Sequence, residues 1–284
     1  MAYDAQFGDS ICVESWVITM HDFDYRRPST VDEAQSMLSA DPRAKVLAGG
    51  QSLIVELKHR RQAPSVLVDL ARLQLDRIQI DSSKIMIGAM ATHAAIAASR
   101  ELKASAPGLV RLASLVGDMQ VRNWGTIGGS IANNDPDACY PAAMLSLGAT
   151  IVTNRRRIPA DEFFKGPFKT AVAHDELITG IEFMRPERSN YEKVRNPASR
   201  YALVGVFIAQ GPAGTRVGVT AARAEGAFRE TEIEKALAKS FTVSALANIS
   251  TPSDRLKDDI HATAKYRAHL IGVLAVRCVS AQPA

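Results

Sequence analysis

Two adjacent-glycine segments carry the most suggestive chemistry in this chain. One is Ala48-Gly49-Gly50-Gln51-Ser52, entered through Leu47 and left through Leu53; the other is Thr126-Ile127-Gly128-Gly129-Ser130. In each, an apolar run enters, two residues without side chains follow, and a hydroxyl comes next. Glycine destabilises both helix and strand, so a pair placed between such elements marks backbone that must come close to something. Bare N–H groups can approach an anion, and a helix N-terminus behind them adds positive potential. Ser and Thr hydroxyls supply further hydrogen bonds to phosphate oxygens. Two such segments could grip a diphosphate from two sides. Most glycine pairs make only turns, so spacing by itself leaves both readings open.

Other chemistries find less support. There is no GxGxxG and no GxxxxGK[ST], against a Rossmann or P-loop site. There is no GxSxG elbow, and no Ser/His/Asp set has a recognisable spacing. The six histidines form no HxxxH or HExxH. Cys12, Cys139 and Cys278 are scattered and odd in number. That pattern suggests a reducing compartment and no iron or zinc site built by this chain alone. Lys plus Arg exceed Asp plus Glu by only 34 to 30, too mild an excess to indicate nucleic acid. The basic runs Lys58–Arg61 and Arg155–Arg157 read as solvated faces. No apolar stretch reaches the roughly 18 residues of a membrane span. The N-terminus lacks the basic and apolar regions of a secretory signal.

The elements that must position the glycine segments can be read in order. The 284 residues exceed one average domain. Residues 1–19 lack periodicity and read as an extension, with Met20 near the functional start. Thr30 and Glu33 make a capping box that opens a helix. "AKVLA" and "SVLVDL" read as strands on either side of the helix "SLIVELKHR". "RIQIDSSKIMIGA" alternates around Ser82-Ser83 as a hairpin. "THAAIAAS" and "GLVRLASLVG" are helical, and "NWGTIGGSIANNDPDACYP" reads as a turn-rich loop. A short helix "AAMLSLG" and strands "ATIVTN" and "DELITGIEF" follow. From Tyr191 the texture becomes a small antiparallel sheet. Helices end the chain at "ETEIEKALAKSF" and from about Asp254 to Val279, the latter carrying His261 and His269.

With these residues in view, "AGGQSL" and "QVRNWGTIGGSIANNDP", supported by "RRIPADEFFKGPFKTAVAHDELITGIEF" and "YRAHLIGVLAVR", resemble the FAD-binding medium subunit of molybdenum hydroxylases. This is the carbon monoxide dehydrogenase and xanthine dehydrogenase family. The likeness runs from about Met20 to the end. It implies an α+β fold: a two-subdomain FAD-binding domain of the vanillyl-alcohol-oxidase (PCMH) type over 20–188, then a small α+β C-terminal domain over 189–284. The subdomains would span about 20–75 and 76–188, with 1–19 an N-terminal extension.

The resemblance also implies roles. Leu47, Ala48, Gly49, Gly50, Gln51, Ser52 and Leu53 would line the FAD diphosphate and reach toward the flavin. Thr126, Gly128, Gly129 and Ser130 would form the second clamp. Val116 and Gly117 would lie beside the cofactor, and Asn133, Ala138 and Cys139 would form the loop after the second clamp. Leu177 and Ile178 would pack near the adenine end, or be plain strand packing. Lys193 and Tyr201 would lie near the isoalloxazine, the aromatic covering part of the ring; read blandly, Lys193 is exposed and Tyr201 sits in the core. No catalytic acid–base residue is required. Two positions depart from the family's commoner residues: Gln51 stands for His, which implies non-covalent FAD, and Cys139 stands for Asp, which weakens a contact that Asp135 and Asp137 could replace.

The implied function is an electron-transfer subunit. It would take electrons from 2Fe–2S clusters of a small partner and pass them to an external acceptor such as a quinone or NAD. Molybdopterin would reside on a large partner, in a dimer of heterotrimers without nucleic acid. The implied location is cytoplasmic, or the inner membrane face through the complex. The alternatives are a stand-alone FAD-dependent oxidoreductase of the same fold and a non-catalytic scaffold subunit.

Overall fold

The computed structural model describes residues 20–281; the extension read over 1–19, with Cys12, lies outside the described residues. The chain opens with β1 (Asp24–Arg26), α1 (Val31–Ala40), β2 (Lys45–Leu47), α2 (Leu53–Lys58) and β3 (Val66–Asp69). The three strands are parallel in the order β1-β3-β2. Parallel neighbours need crossovers, and α1 and α2 lie along them. Thr30 caps α1, its hydroxyl accepting from Glu33 N–H at 3.1 Å. The returning Glu33 carboxylate accepts from Ser29 N–H at 2.7 Å, one residue earlier than a reciprocal capping box requires.

A second sheet follows from β4 (Ile78–Ile80) and β5 (Lys84–Gly88), the hairpin expected around Ser82-Ser83. Six helices come next: α3 (His93–Ala98), α4 (Arg100–Ser105), α5 (Pro107–Ser114), α6 (Met119–Trp124), α7 (Ile127–Asn133) and α8 (Tyr140–Ser146). Then come β6 (Thr150–Thr153), β7 (Arg157–Pro159), α9 (Ala160–Phe163), β8 (Phe164–Gly166), β9 (Lys169–Thr170) and β10 (Ile178–Met184). The sheet order is β4-β5-β10-β6-β7, so the last strand made lies in the middle.

The stretch read as a turn-rich loop, 123–141, therefore holds α7 whole, with the end of α6 before it and the start of α8 after it. Asp118 caps α6, accepting from Val121 N–H at 2.9 Å, and Thr126 caps α7, accepting from Gly129 N–H at 3.1 Å. Each helical glycine costs about 1 kcal/mol. Close packing repays this at Gly128, where a Cβ would lie 2.6 Å from both the Cβ and the carbonyl of Ala89.

Arg155–Arg157 are exposed, as their run suggests, but they are not unpaired. They pair with Asp175, Glu176 and Glu182 in turn, across strands and loops that sequence distance conceals. Glu176 is the anchor, accepting from Arg156 Nε and Nη2 at 2.9 Å each and from the Thr153 hydroxyl at 2.7 Å. These hydrogen bonds, Arg156's first, bring its pKa down to about 2 against the opposing effect of burial.

The last sheet is an antiparallel meander of β11 (Arg188–Arg195), β12 (Ala202–Gly211), β13 (Gly214–Thr220) and β14 (Phe228–Arg229). The near-continuous apolar run of β12 reflects burial on both faces. Val204, Val206 and Ile208 face a core with α10 (Thr231–Lys239) and α11 (Ala264–Ser280). Phe207 and Ala209 face the core shared with α5 and α8. Helix α11 starts ten residues later than the periodicity suggests, capped by Thr263, so His261 precedes the helix rather than riding on it. Asp259 organises the preceding turn by accepting from His261 N–H at 2.9 Å.

Candidate FAD site

The two glycine segments touch. A Cβ on Gly49 would stand 1.9 Å from the Trp124 carbonyl oxygen and 2.9 Å from Gly125 Cα. Gly49 is bare because the other segment's backbone occupies its side-chain space. Gly50 has φ +72°, a left-handed conformation that favours glycine, and it turns β2 into α2.

The segments differ in what they offer a ligand. Among the described residues, no protein acceptor serves the N–H groups of Gly49, Gly50, Gln51, Ser52 and Leu53. In the second segment Gly128 N–H donates to Ala89 O at 2.9 Å, Gly129 N–H to Thr126 Oγ1, and Ser130 N–H to Thr126 O at 3.0 Å. Its amides are thus engaged, and what it presents is an open face at Gly129, where a Cβ would meet only Thr126 Oγ1 at 2.9 Å and Ala48 Cβ at 3.7 Å. The Ser130 hydroxyl and Asn133 amide are half-buried nearby in sequence on α7.

His93 supports the second segment from below. Its N–H donates to Gly125 O at 2.9 Å, and its Nε2 fills the space where a Gly125 Cβ would stand. Nδ1 is 3.1 Å from the hydroxyl of buried Tyr140, whose ring stacks on the imidazole. Burial, and secondarily the Arg122 charge, push the His93 pKa down to about 4 from 6.5. The unfolded chain therefore takes up a proton below pH 6.5 that the folded chain refuses until about pH 4. Stability falls by about 3 kcal/mol as pH drops through that window. His93→Gln is expected to flatten this part of the stability–pH curve, measured by urea unfolding at pH 7 and pH 4.5.

The remaining residues implied by the resemblance fall into four groups. Val116 and Gly117 form the turn before α6, where Arg122 Nη1 donates to both carbonyls at 3.0 and 3.3 Å, and Gly117 has φ +48°. Ala138 and Cys139 lead into α8 against the last sheet, with the Thr220 hydroxyl donating to Ala138 O. Buried Cys139 accepts from Lys193 Nζ at 3.5 Å. Tyr201 ends the 196–201 turn just before β12 and is 47% exposed, outside the core. Leu177 and Ile178 bury their side chains in two different cores. The Leu177 backbone is engaged both ways by Asn154.

Tyr201 also borders a cavity of about 340 Å³ lined by Asp135, Asp137, Lys257, Asp259 and His261 among others. Lys257 pairs with Asp137 at 2.5 Å, and burial raises the Asp135 pKa. Sequence reasoning missed Lys257, Asp259 and Arg267. The available signal was an arginine, Arg267, in helical register with the apolar face of Leu270, Ile271 and Leu274, since a buried cation must be paired.

Residues 21–185 match the family model described as the FAD binding domain in molybdopterin dehydrogenase. The chain belongs to that family. This FAD-binding domain protein is 32% identical over 276 residues to the glyceraldehyde dehydrogenase medium chain of Sulfolobus acidocaldarius, covering 90% of this chain and 96% of that one. It is 31% identical over 276 residues to the carbon monoxide dehydrogenase medium chain of Hydrogenophaga pseudoflava, covering 91% and 96%. Quinoline 2-oxidoreductase from Pseudomonas putida 86 superposes with a TM-score of 0.81 at 28% identity, covering 92% of this chain and 97% of that chain. The α+β architecture of the FAD-binding PCMH type is thus the fold, and FAD is the cofactor. The residues present fit it: five free amides at one segment and an open face at Gly129 make a cradle for a diphosphate-bearing ligand.

Proposed function

We propose that this chain is the FAD-carrying medium subunit of a molybdenum hydroxylase complex, with FAD bound over residues 20–188 and the C-terminal domain, 189–284, closing the flavin end. A large molybdopterin subunit and a small subunit with 2Fe–2S clusters complete the complex as a dimer of heterotrimers in the cytoplasm. FAD, when bound, supplies exchange between one-electron and two-electron carriers. The chain takes electrons from the small subunit and delivers them to an external acceptor, a quinone, NAD or similar.

The chain's residues do the binding and positioning. The free N–H groups of Gly49 to Leu53 donate to diphosphate oxygens. Ser130 and Asn133 add side-chain donors from the second segment, with the open side of Gly129 admitting the ligand. Lys193 and Tyr201 bound the ring end, placing a cation and an aromatic face beside it. Gln51 carries an amide rather than an imidazole and donates to Gly49 O at 3.3 Å, so the chain holds FAD without a histidyl bond. The observation that carries this reading is the run of unpaired amides seated against the Trp124–Gly125 backbone.

The test is purification of the chain together with its genomic neighbours. The expected result is a yellow complex containing molybdenum and iron whose flavin is released into the supernatant by acid precipitation. At a hundredfold excess over its Kd, FAD should stabilise the isolated chain by about 2.7 kcal/mol. A colourless chain with no thermal shift in FAD defeats the reading.

A further inference from the structure

Tyr191 and Lys193 are two residues apart on β11 and project from the same face. That face packs on Cys139. Lys193 Nζ donates to Cys139 Sγ at 3.5 Å and to Arg200 O at 3.1 Å. Among the described residues no carboxylate pairs with Lys193, and its neighbour Glu192 is engaged by Arg111. Tyr191 is wholly buried, and among the described residues its hydroxyl makes no well-formed hydrogen bond, with Cys139 beside it. The hydroxyl sits over Gly205, the residue opposite Lys193 in the ladder, in the space a Cβ there would need. Burial first, and then the adjacent Cys139, hold this phenol protonated. A thiol thus lies between an ammonium without a carboxylate and a buried O–H donor that meets no oxygen acceptor among the described residues.

We propose that Cys139 is a peroxide-modification site, converted to a sulfenic acid that the Lys193 ammonium and the Tyr191 hydroxyl then hold. The Lys193 ammonium, 3.5 Å from the sulfur, is placed to donate to an oxygen formed there. The Cys139 sulfur attacks one oxygen of hydrogen peroxide; the S–O bond forms as the O–O bond breaks. The leaving hydroxide takes up the proton released by the thiol and departs as water. Sulfur is oxidised by two electrons and peroxide is reduced by two. The new oxygen supplies the acceptor that Tyr191 lacks. Cys278 is the built-in contrast: it is fully buried, donates to Val206 O at 3.4 Å, and burial pushes its thiol pKa up.

The experiment treats the native protein, as isolated, with hydrogen peroxide in the presence of dimedone and measures each cysteine adduct by mass spectrometry. Cys139 is expected to be labelled while Cys278 is not. Lys193→Met should slow Cys139 labelling by about tenfold, and Lys193→Arg should retain most of it. Labelling of wild-type Cys139 no greater than that of Cys278 overturns the proposal, whatever the variants do. Equal labelling rates in wild type and in a Lys193→Met protein whose Cys278 stays unlabelled overturn it as well.

Discussion

Gly49→Ala is expected to lower the unfolding temperature by about 10 °C and to abolish FAD binding together with it. The added methyl would have to share space with the Trp124 carbonyl, 1.9 Å from the ideal Cβ position, and with Gly125 Cα. Both obstacles are backbone, so no side-chain rotation relieves them. Overpacking of this kind costs about 3 kcal/mol, and in a chain of this size each kcal/mol moves the transition by about 2–4 °C. Gly129→Ala gives the contrast. Its Cβ would meet the Thr126 hydroxyl at 2.9 Å and otherwise open space, so the fold should lose about 1 kcal/mol while FAD affinity drops by about tenfold or more. Differential scanning fluorimetry with and without FAD separates the two. A Gly49→Ala protein that melts with the wild type would show that the segments do not press on each other.

Arg267→Met should be the most destabilising single change in the C-terminal sheet and its helices, at about 3–5 kcal/mol in urea unfolding. The guanidinium is only 2% exposed. Nη1 donates to the carbonyls of Leu203 and Ala221, and Nη2 to both oxygens of Asp259 at 2.8 and 2.7 Å. One side chain therefore ties the start of β12, the end of β13 and the turn before α11. Burial works against ionised Asp259, but hydrogen bonds from His261 N–H, Arg267 and Ala262 N–H bring its pKa down to about 2. Methionine matches the volume but leaves Asp259 and two carbonyls without their donor. Asp259→Asn should cost less, because Asp259 lies at the edge of solvent with a third of its side chain exposed. Equal losses for the two variants would contradict this division of labour.

Much of the local structure is written in local sequence. The 78–88 hairpin follows from alternation around Ser82-Ser83, and α1 from Thr30 and Glu33. The family, too, is legible: three of the four motifs fall in order within the matched region, residues 21–185, and YRAHLIGVLAVR lies beyond it. What stayed hidden depends on partners distant in the chain. Gly49 reads as ligand-facing until Trp124, 75 residues on, is seen to fill its side-chain space. Gly128 and Gly129 read as loop because glycine penalises helices, yet Ala89 and the Thr126 cap make a helix there the better-packed choice. Arg155–Arg157 are the solvent-facing run they look like, but their pairing is hidden because the carboxylates lie 20 to 25 residues away across a sheet. The start of α11 was misplaced because Asp259 builds an irregular turn from residues whose types suit a helix.

The central place of β10 has a consequence for biosynthesis. This strand joins β5 to β6, so a nascent chain that has already emerged through both glycine segments still lacks the strand that holds the second sheet together. Until residue 184 clears the ribosome, the facing edges of β5 and β6 have no strand between them, and closing that gap late is a slow, long-range step. Interrupting translation just short of Ile178 should leave a chain open to proteolysis and dependent on chaperones, whereas release beyond Met184 lets the first two sheets close as one unit.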